Sequence, residues 1–196
     1  TNANIEARVV EVGAKDKKET LVDLLRADDV RTAIIFCNRK TTVRELNKSL
    51  QRHGFASSEI HGDMDQPARL AELDRFKNGT INILVASDVA ARGLDVKGVS
   101  HVFNYDLPSH AEDYVHRIGR TGRAGNTVVA VTFVDWDDET KWAVINRQLD
   151  LGIPEAVETY SSSPHLYSDL DIPEGTKGRL PRAQRTREGL DAERIE

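Results

Sequence analysis

TAIIFCNRKTTVRELNKSLQRHG, residues 32–54, holds the fold in miniature. Its apolar run TAIIFCN (32–38) has the length and side-chain types of a buried strand. TTVRELNKSLQRHG (41–54) follows as a helix that Gly54 stops. A strand buried on both faces and joined directly to a helix belongs in a parallel sheet, because parallel pairing needs a crossover connection.

Outward from this unit the pattern repeats. IEARVVEV (5–12) alternates as a strand does, and KKETLVDLLRA (17–27) places Leu21, Leu24 and Leu25 at helical spacing. SSEIHG (57–62) precedes a helix over 66–77 that Gly79 ends. INILVAS (81–87), VSHVFNYD (99–106) and TVVAVTFVD (127–135) are further β-branched runs, and a helix is predicted from Asp137 to Leu151. The expectation is an α/β fold, an open parallel sheet flanked by helices. Such sheets bind ligands beyond the carboxyl ends of their strands, here Asn38-Arg39, Gly62-Asp63, Ser87-Asp88 and Asp106-Leu107.

The chain has 196 residues, 39% of them hydrophobic, enough for one domain with a core. Residues 1–152 carry the pattern. Residues 153–196 change texture, with Pro154, Pro164, Pro173, Pro181 and the run Ser161-Ser162-Ser163, and are expected to form an extension. Within it, KGRLPRAQRTR (177–187) holds five cations and no acid, suited to a solvated linker or an accessory polyanion contact. With a net charge of −5, any polyanion must otherwise be met by a local cluster of Arg and Lys. The single cysteine, Cys37, sits in an apolar run and is expected to be a buried thiol in a reducing, cytoplasmic compartment. No apolar run reaches the roughly 18 residues of a membrane span, so no membrane partner is expected. Opening on Thr1, the sequence reads as an excised fragment.

HRIGRTGRAG (116–125) repeats Arg-x-Gly three times. Ser109-His110-Ala111-Glu112 before it has the form of a capping box. Ala111, Tyr114, Val115 and Ile118 are then expected as the buried stripe of a short helix, with Arg117 and Arg120 falling away from it. Gly119 and Gly122 would release the backbone so that Arg123 points with them. Guanidinium groups keep their charge and offer planar forks suited to phosphate oxygens, which fits charge stabilisation on a transferring phosphoryl group. ASDVAARGLDV (86–96) emerges from the strand INILV. Its Gly93 allows close backbone approach, and Asp95 can accept ribose hydroxyl hydrogen bonds.

Together these stretches resemble the DEAD-box RNA helicases. ASDVAARGLD and HRIGRTGR are similar to motifs V and VI, FCNRK (36–40) to motif IV, and Gln66-Pro67-Ala68-Arg69 to the QxxR of that family. The resemblance covers residues 5 to 150 and implies the second, C-terminal RecA-like domain of a two-domain core. These residues contain no G-x-x-x-x-G-K-S/T, no Asp-Glu-Ala-Asp and no Ser-Ala-Thr, the marks of the first domain. The implied activity is ATP-dependent unwinding or remodelling of RNA, with ATP and Mg²⁺ as cofactors, the metal held by the first domain and no metal ligands on this chain. The implied partners are RNA, the N-terminal RecA-like domain of the same parent and ribonucleoprotein complexes.

Carried over residue by residue, Arg120 and Arg123 match the γ-phosphate arginines, with Arg123 as the finger. Asp95 matches the ribose-contacting carboxylate, with Gly93 beside it. His116 matches a residue that couples motifs across the cleft, and Arg92 supports the same interface. Gln66, Arg69 and Ser87 match RNA-backbone contacts, Ser87 standing where Thr is usual, and Asn38 and Arg39 lie at the equivalent strand end. Two departures stand out: Arg39 replaces a common Thr, and Val128 replaces a usual Gly, so the connection there is expected to differ locally. The extension resembles one found in some bacterial members. Two other readings are a DNA translocase of the same superfamily, disfavoured by His116 and QxxR, and a non-catalytic RNA-binding or scaffold module.

Overall fold

The structure, a computed structural model, describes residues 4–92, 96–119, 121 and 127–149. Six strands, β1 (Asn4–Glu11), β2 (Ala33–Cys37), β3 (Ser57–Ile60), β4 (Ile83–Ser87), β5 (His101–Asn104) and β6 (Thr127–Val134), form one sheet in the order β1-β6-β5-β2-β4-β3. Every pairing is parallel, with β2 at the centre between β5 and β4. The helices are α1 (Lys17–Leu25), α2 (Lys40–Arg52), α3 (Gln66–Lys77), α4 (Asp88–Ala91), α5 (Ala111–Gly119) and α6 (Glu139–Gln148). The expected helix from Asp137 begins instead with a 3-10 turn, Trp136–Asp138, which Asp135 and Asp138 fix through a reciprocal capping box.

β2 shows why the sheet is buried on both sides. Ile34 and Phe36 face one core with Leu73 and Phe76 of α3, Tyr114 and Ile118 of α5 and Trp142 of α6. Ala33, Ile35 and Cys37 face the other, with Leu21 of α1 and Val43, Leu46 and Leu50 of α2. Alternate residues of a strand point to opposite faces, so a run without polar residues can serve both layers. Cys37 is buried and free, as its apolar setting predicts, and burial pushes its thiol pKa up. Gly54 (φ 90°) and Gly79 (φ 86°) follow the C-caps of α2 and α3 in the left-handed region, where glycine carries no Cβ penalty.

Three expectations need correction. The predicted capping box at Ser109 is not what starts α5: the helix begins at Ala111, and the His110 carbonyl accepts the Asp113 and Tyr114 N–H groups. The buried stripe of α5 is Ala111, Tyr114, Arg117 and Ile118, while Val115 is exposed. Val115 and Arg117 flank the same apolar line, and polar partners beneath the helix draw the arginine in. Val128 lies in no loop: it is a buried residue of β6 paired with Ile5. An extended strand suits a β-branched side chain, so no left-handed backbone arises there.

Candidate nucleic-acid and nucleotide interface

At the carboxyl ends of β2, β4 and β5 the chain leaves a set of polar residues that the core could not hold unless they paired. Arg117 is their centre. It is only 2% exposed, and its guanidinium makes five hydrogen bonds. Nε and Nη2 donate to Asp88 Oδ1 and Oδ2 at 2.6 and 2.7 Å. Nη1 donates to Asn104 Oδ1 at 3.1 Å and to the Asp106 carbonyl at 2.7 Å, and Nη2 also donates to Asn38 Oδ1 at 2.7 Å. The Phe36 ring lies beneath, its centroid 5.5 Å from the guanidinium carbon. A buried charge needs this degree of pairing, and the bidentate fork supplies it with fixed geometry.

The network continues outward. The Asn38 N–H donates to Asp106 Oδ2 at 3.0 Å and its Nδ2 to the Leu107 carbonyl at 3.0 Å. Lys17 of α1 donates to Asp106 Oδ1 at 2.8 Å and sits over the Tyr105 ring. So the ends of β2, β4 and β5 and the helices α1, α4 and α5 are tied at one place. Asn38, predicted as a ligand contact, spends its amide on this tie. Arg117, predicted to project with the other arginines, is its hub. Asp88 next to Ser87, and Asn104 directly after the apolar pair Val102-Phe103, were the signals in sequence that could have exposed it.

The other predicted residues fall into two groups. Ser87, 5% exposed, caps α4 and accepts the Ala90 N–H at 3.5 Å. Arg39 is exposed at the N-cap of α2, and Gln66 is the exposed first residue of α3. Arg69, one turn on, donates from Nε to the Met64 carbonyl at 3.0 Å and from Nη2 to the Gly62 carbonyl at 3.4 Å. Asn38, Arg39, Gln66, Arg69 and Ser87 therefore share one edge, at the ends of the neighbouring strands β2, β4 and β3. Arg92 is exposed at the end of α4, and His116 is exposed on α5 beside the buried Arg117. Gly93, Asp95, Arg120 and Arg123 lie outside the described residues, as does the proposed domain boundary at 152. Between them, Thr121 is buried: its carbonyl accepts the Gly98 N–H at 3.2 Å and its hydroxyl donates to the Ile118 carbonyl at 2.8 Å.

Comparison with known proteins bears on the family and the fold. A family described as the helicase conserved C-terminal domain matches residues 16–125. Over 134 residues, 68% of the chain, the sequence is 52% identical to the DEAD-box ATP-dependent RNA helicase CshA of Geobacillus kaustophilus (strain HTA426), and the match spans 29% of that relative's length. The Escherichia coli DEAD-box protein SrmB, solved bound to regulator of ribonuclease activity A, superposes with a TM-score of 0.71 at 36% identity, covering 74% of this chain and 86% of that one. Dbp5 of Saccharomyces cerevisiae, solved bound to RNA and ADP BeF3, gives a TM-score of 0.68 at 33% identity, over 75% of this chain and 39% of that one. The six-stranded parallel sheet with its flanking helices is thus the RecA-like architecture of these neighbours. The chain belongs to the helicase conserved C-terminal domain family, in the form that the DEAD-box RNA helicases carry.

Proposed function

We propose that this chain is the second half of a split ATPase site and one wall of an RNA groove, working as part of an ATP-dependent RNA helicase. The observation that carries the reading is the Arg117 tie. It joins the helix leading to Arg120 and Arg123 to the strand ends that bear Asn38, Ser87 and, one strand further, Gln66 and Arg69. A rigid link of this kind lets a contact on the RNA edge and a contact on nucleotide bias the same body.

In this reading Arg123 and Arg120 meet the γ-phosphate, Arg123 as the finger, and Asp95 beside Gly93 takes the ribose hydroxyls. His116 and Arg92 couple to the first domain, and Gln66, Arg69, Ser87, Asn38 and Arg39 track the RNA backbone. ATP and Mg²⁺ would be bound chiefly by a P-loop domain, and the metal would supply charge neutralisation to the phosphates. RNA binding by Dbp5 supports the RNA assignment by similarity. The chain spans under a third of the curated relative, so the test uses both pieces. The 196-residue chain alone should hydrolyse no ATP, and a fusion to a DEAD-box P-loop domain should hydrolyse it in an RNA-stimulated manner. Turnover by the purified chain alone would overturn the reading of a split site.

A further inference from the structure

Lys40 and Arg44 stand four residues apart at the start of α2, so their side chains rise from one face of the helix. Both reach across to a single carboxylate. Lys40 Nζ lies 2.9 Å from Asp63 Oδ1, and Arg44 Nη1 lies 3.3 Å from Asp63 Oδ2. The side chains are 51%, 38% and 49% exposed, for Lys40, Arg44 and Asp63 in turn. Hydrogen bonds from Lys40, and then Arg44, hold the Asp63 carboxyl below the usual carboxylate range.

The carboxylate is presented by a braced turn. The Asp63 N–H donates to His61 Nδ1 at 3.3 Å, and His61 Nε2 lies 3.0 Å from Glu59 Oε2. The Met64 N–H donates to the His61 carbonyl at 3.1 Å, and Arg69 closes the far side through the Met64 and Gly62 carbonyls. A turn tied at both ends holds an acid in front of two cations, yet exposed ion pairs contribute little to stability. A stronger anion that arrives already oriented can therefore take the acid's place. Two cations that bracket a two-oxygen anion suit the two non-bridging oxygens of a phosphodiester. The cluster sits at the carboxyl ends of β2 and β3, flanked by Arg39 and Gln66.

We propose that Lys40 and Arg44 form a further phosphodiester seat on the RNA edge, which Asp63 fills as an internal stand-in until an RNA phosphate displaces it. The seat rests on the RNA-edge reading above and deepens it. Asp63 then sets a threshold: a strand already held by Gln66 and Arg69 displaces it, while a stray anion does not.

The test measures binding of the 196-residue chain to a fluorescent single-stranded oligouridylate of about 12 nucleotides across a salt series. Asp63→Asn should tighten binding about threefold to tenfold at low salt, the range that the loss of two exposed ion pairs allows. The log–log salt slope should steepen by about 0.7, the value for the one phosphate that the seat takes. The gain should vanish when Lys40→Ala and Arg44→Ala are added. Asp137→Asn removes the same charge from the exposed turn after β6 and should leave affinity unchanged. If Asp63→Asn does nothing, or only what Asp137→Asn does, while Arg69→Ala weakens binding, the seat is wrong and the RNA edge stands. If no variant alters binding, or none of the proteins binds, the edge assignment falls and the seat with it.

Discussion

Arg117 and Asp88 lie 29 positions apart and meet through two charge-assisted hydrogen bonds, Nε to Oδ1 at 2.6 Å and Nη2 to Oδ2 at 2.7 Å. One residue belongs to the helix that precedes the glycine–arginine stretch of the sequence, the other to the short helix that Ser87 caps. Breaking a buried pair from one side leaves the other charge desolvated, so Arg117→Ala should destabilise the domain by about 3 kcal/mol. Arg117→Lys keeps the charge but not the fork, and should recover only part of the loss. Urea unfolding at neutral pH measures both. A shift within the range of an ordinary surface substitution, about 0.5 kcal/mol, would mean that the tie does not hold the domain together.

Cys37 should be silent towards thiol reagents while the domain is folded. Burial raises its pKa, with the Asp106 charge adding to the effect, so the thiolate that reacts is scarcely populated and is also covered. Labelling with a chromogenic disulfide should be slow in buffer and complete in denaturant. Native labelling at the rate of a free cysteine would contradict the packing of β2.

His101 predicts a pH dependence. It is buried, stacked on Phe103, with Nδ1 2.9 Å from Ser100 Oγ and Nε2 3.7 Å from Asp29. Burial lowers its pKa to about 4, Arg8 and Arg31 act in the same direction, and Asp29 opposes them. Between that value and the ordinary 6.5 the unfolded chain takes up a proton that the folded one refuses. Stability should therefore be full above about pH 6.5 and fall as pH drops towards 4, by on the order of 3 kcal/mol in all. His101→Gln should flatten the profile between pH 6.5 and 5, above the range where most carboxylates titrate. An unchanged slope would place the effect elsewhere.

Arg69→Ala should weaken binding to every single-stranded RNA alike and reduce the salt slope by about 0.7, the value for one phosphate. Fluorescence anisotropy with several homopolymers checks this. A loss confined to one sequence would mean that the residue reads a base. Because Arg69 also braces Met64 and Gly62, its loss should be larger than that of Gln66→Ala, which removes a side chain at an exposed helix start.

The layers of the fold were open to reading because apolar runs and helical stripes are set by period alone. The course of β2 into α2, and the stops at Gly54 and Gly79, followed from local chemistry. Arg117 was not open in the same way. Its burial depends on Asp88, Asn104 and Asn38, which arrive from three other strand ends and are adjacent only once the sheet is ordered β5-β2-β4. Val128 carried two expectations, a place in the strand run 127–135 and a family glycine position in a connection; pairing with Ile5, more than 120 residues earlier, fixes the first. Motif spacing singled out the strand ends, and tertiary contacts show how Asn38, Ser87 and Arg117 are held there.

If the segment that follows α5 brings arginine to a γ-phosphate held by another domain, turnover by an Arg123 variant of the two-domain protein reveals it most directly. Arg123→Ala should slow RNA-stimulated hydrolysis by about 10³-fold or more, the scale of a transition-state arginine. Nucleotide affinity should change far less, because the contact strengthens only as charge develops. Arg123→Lys should not restore the rate, since a single ammonium does not reproduce the planar fork. Near-normal turnover by Arg123→Lys, or an Arg123→Ala enzyme that differs from the parent only in stability, would contradict the account.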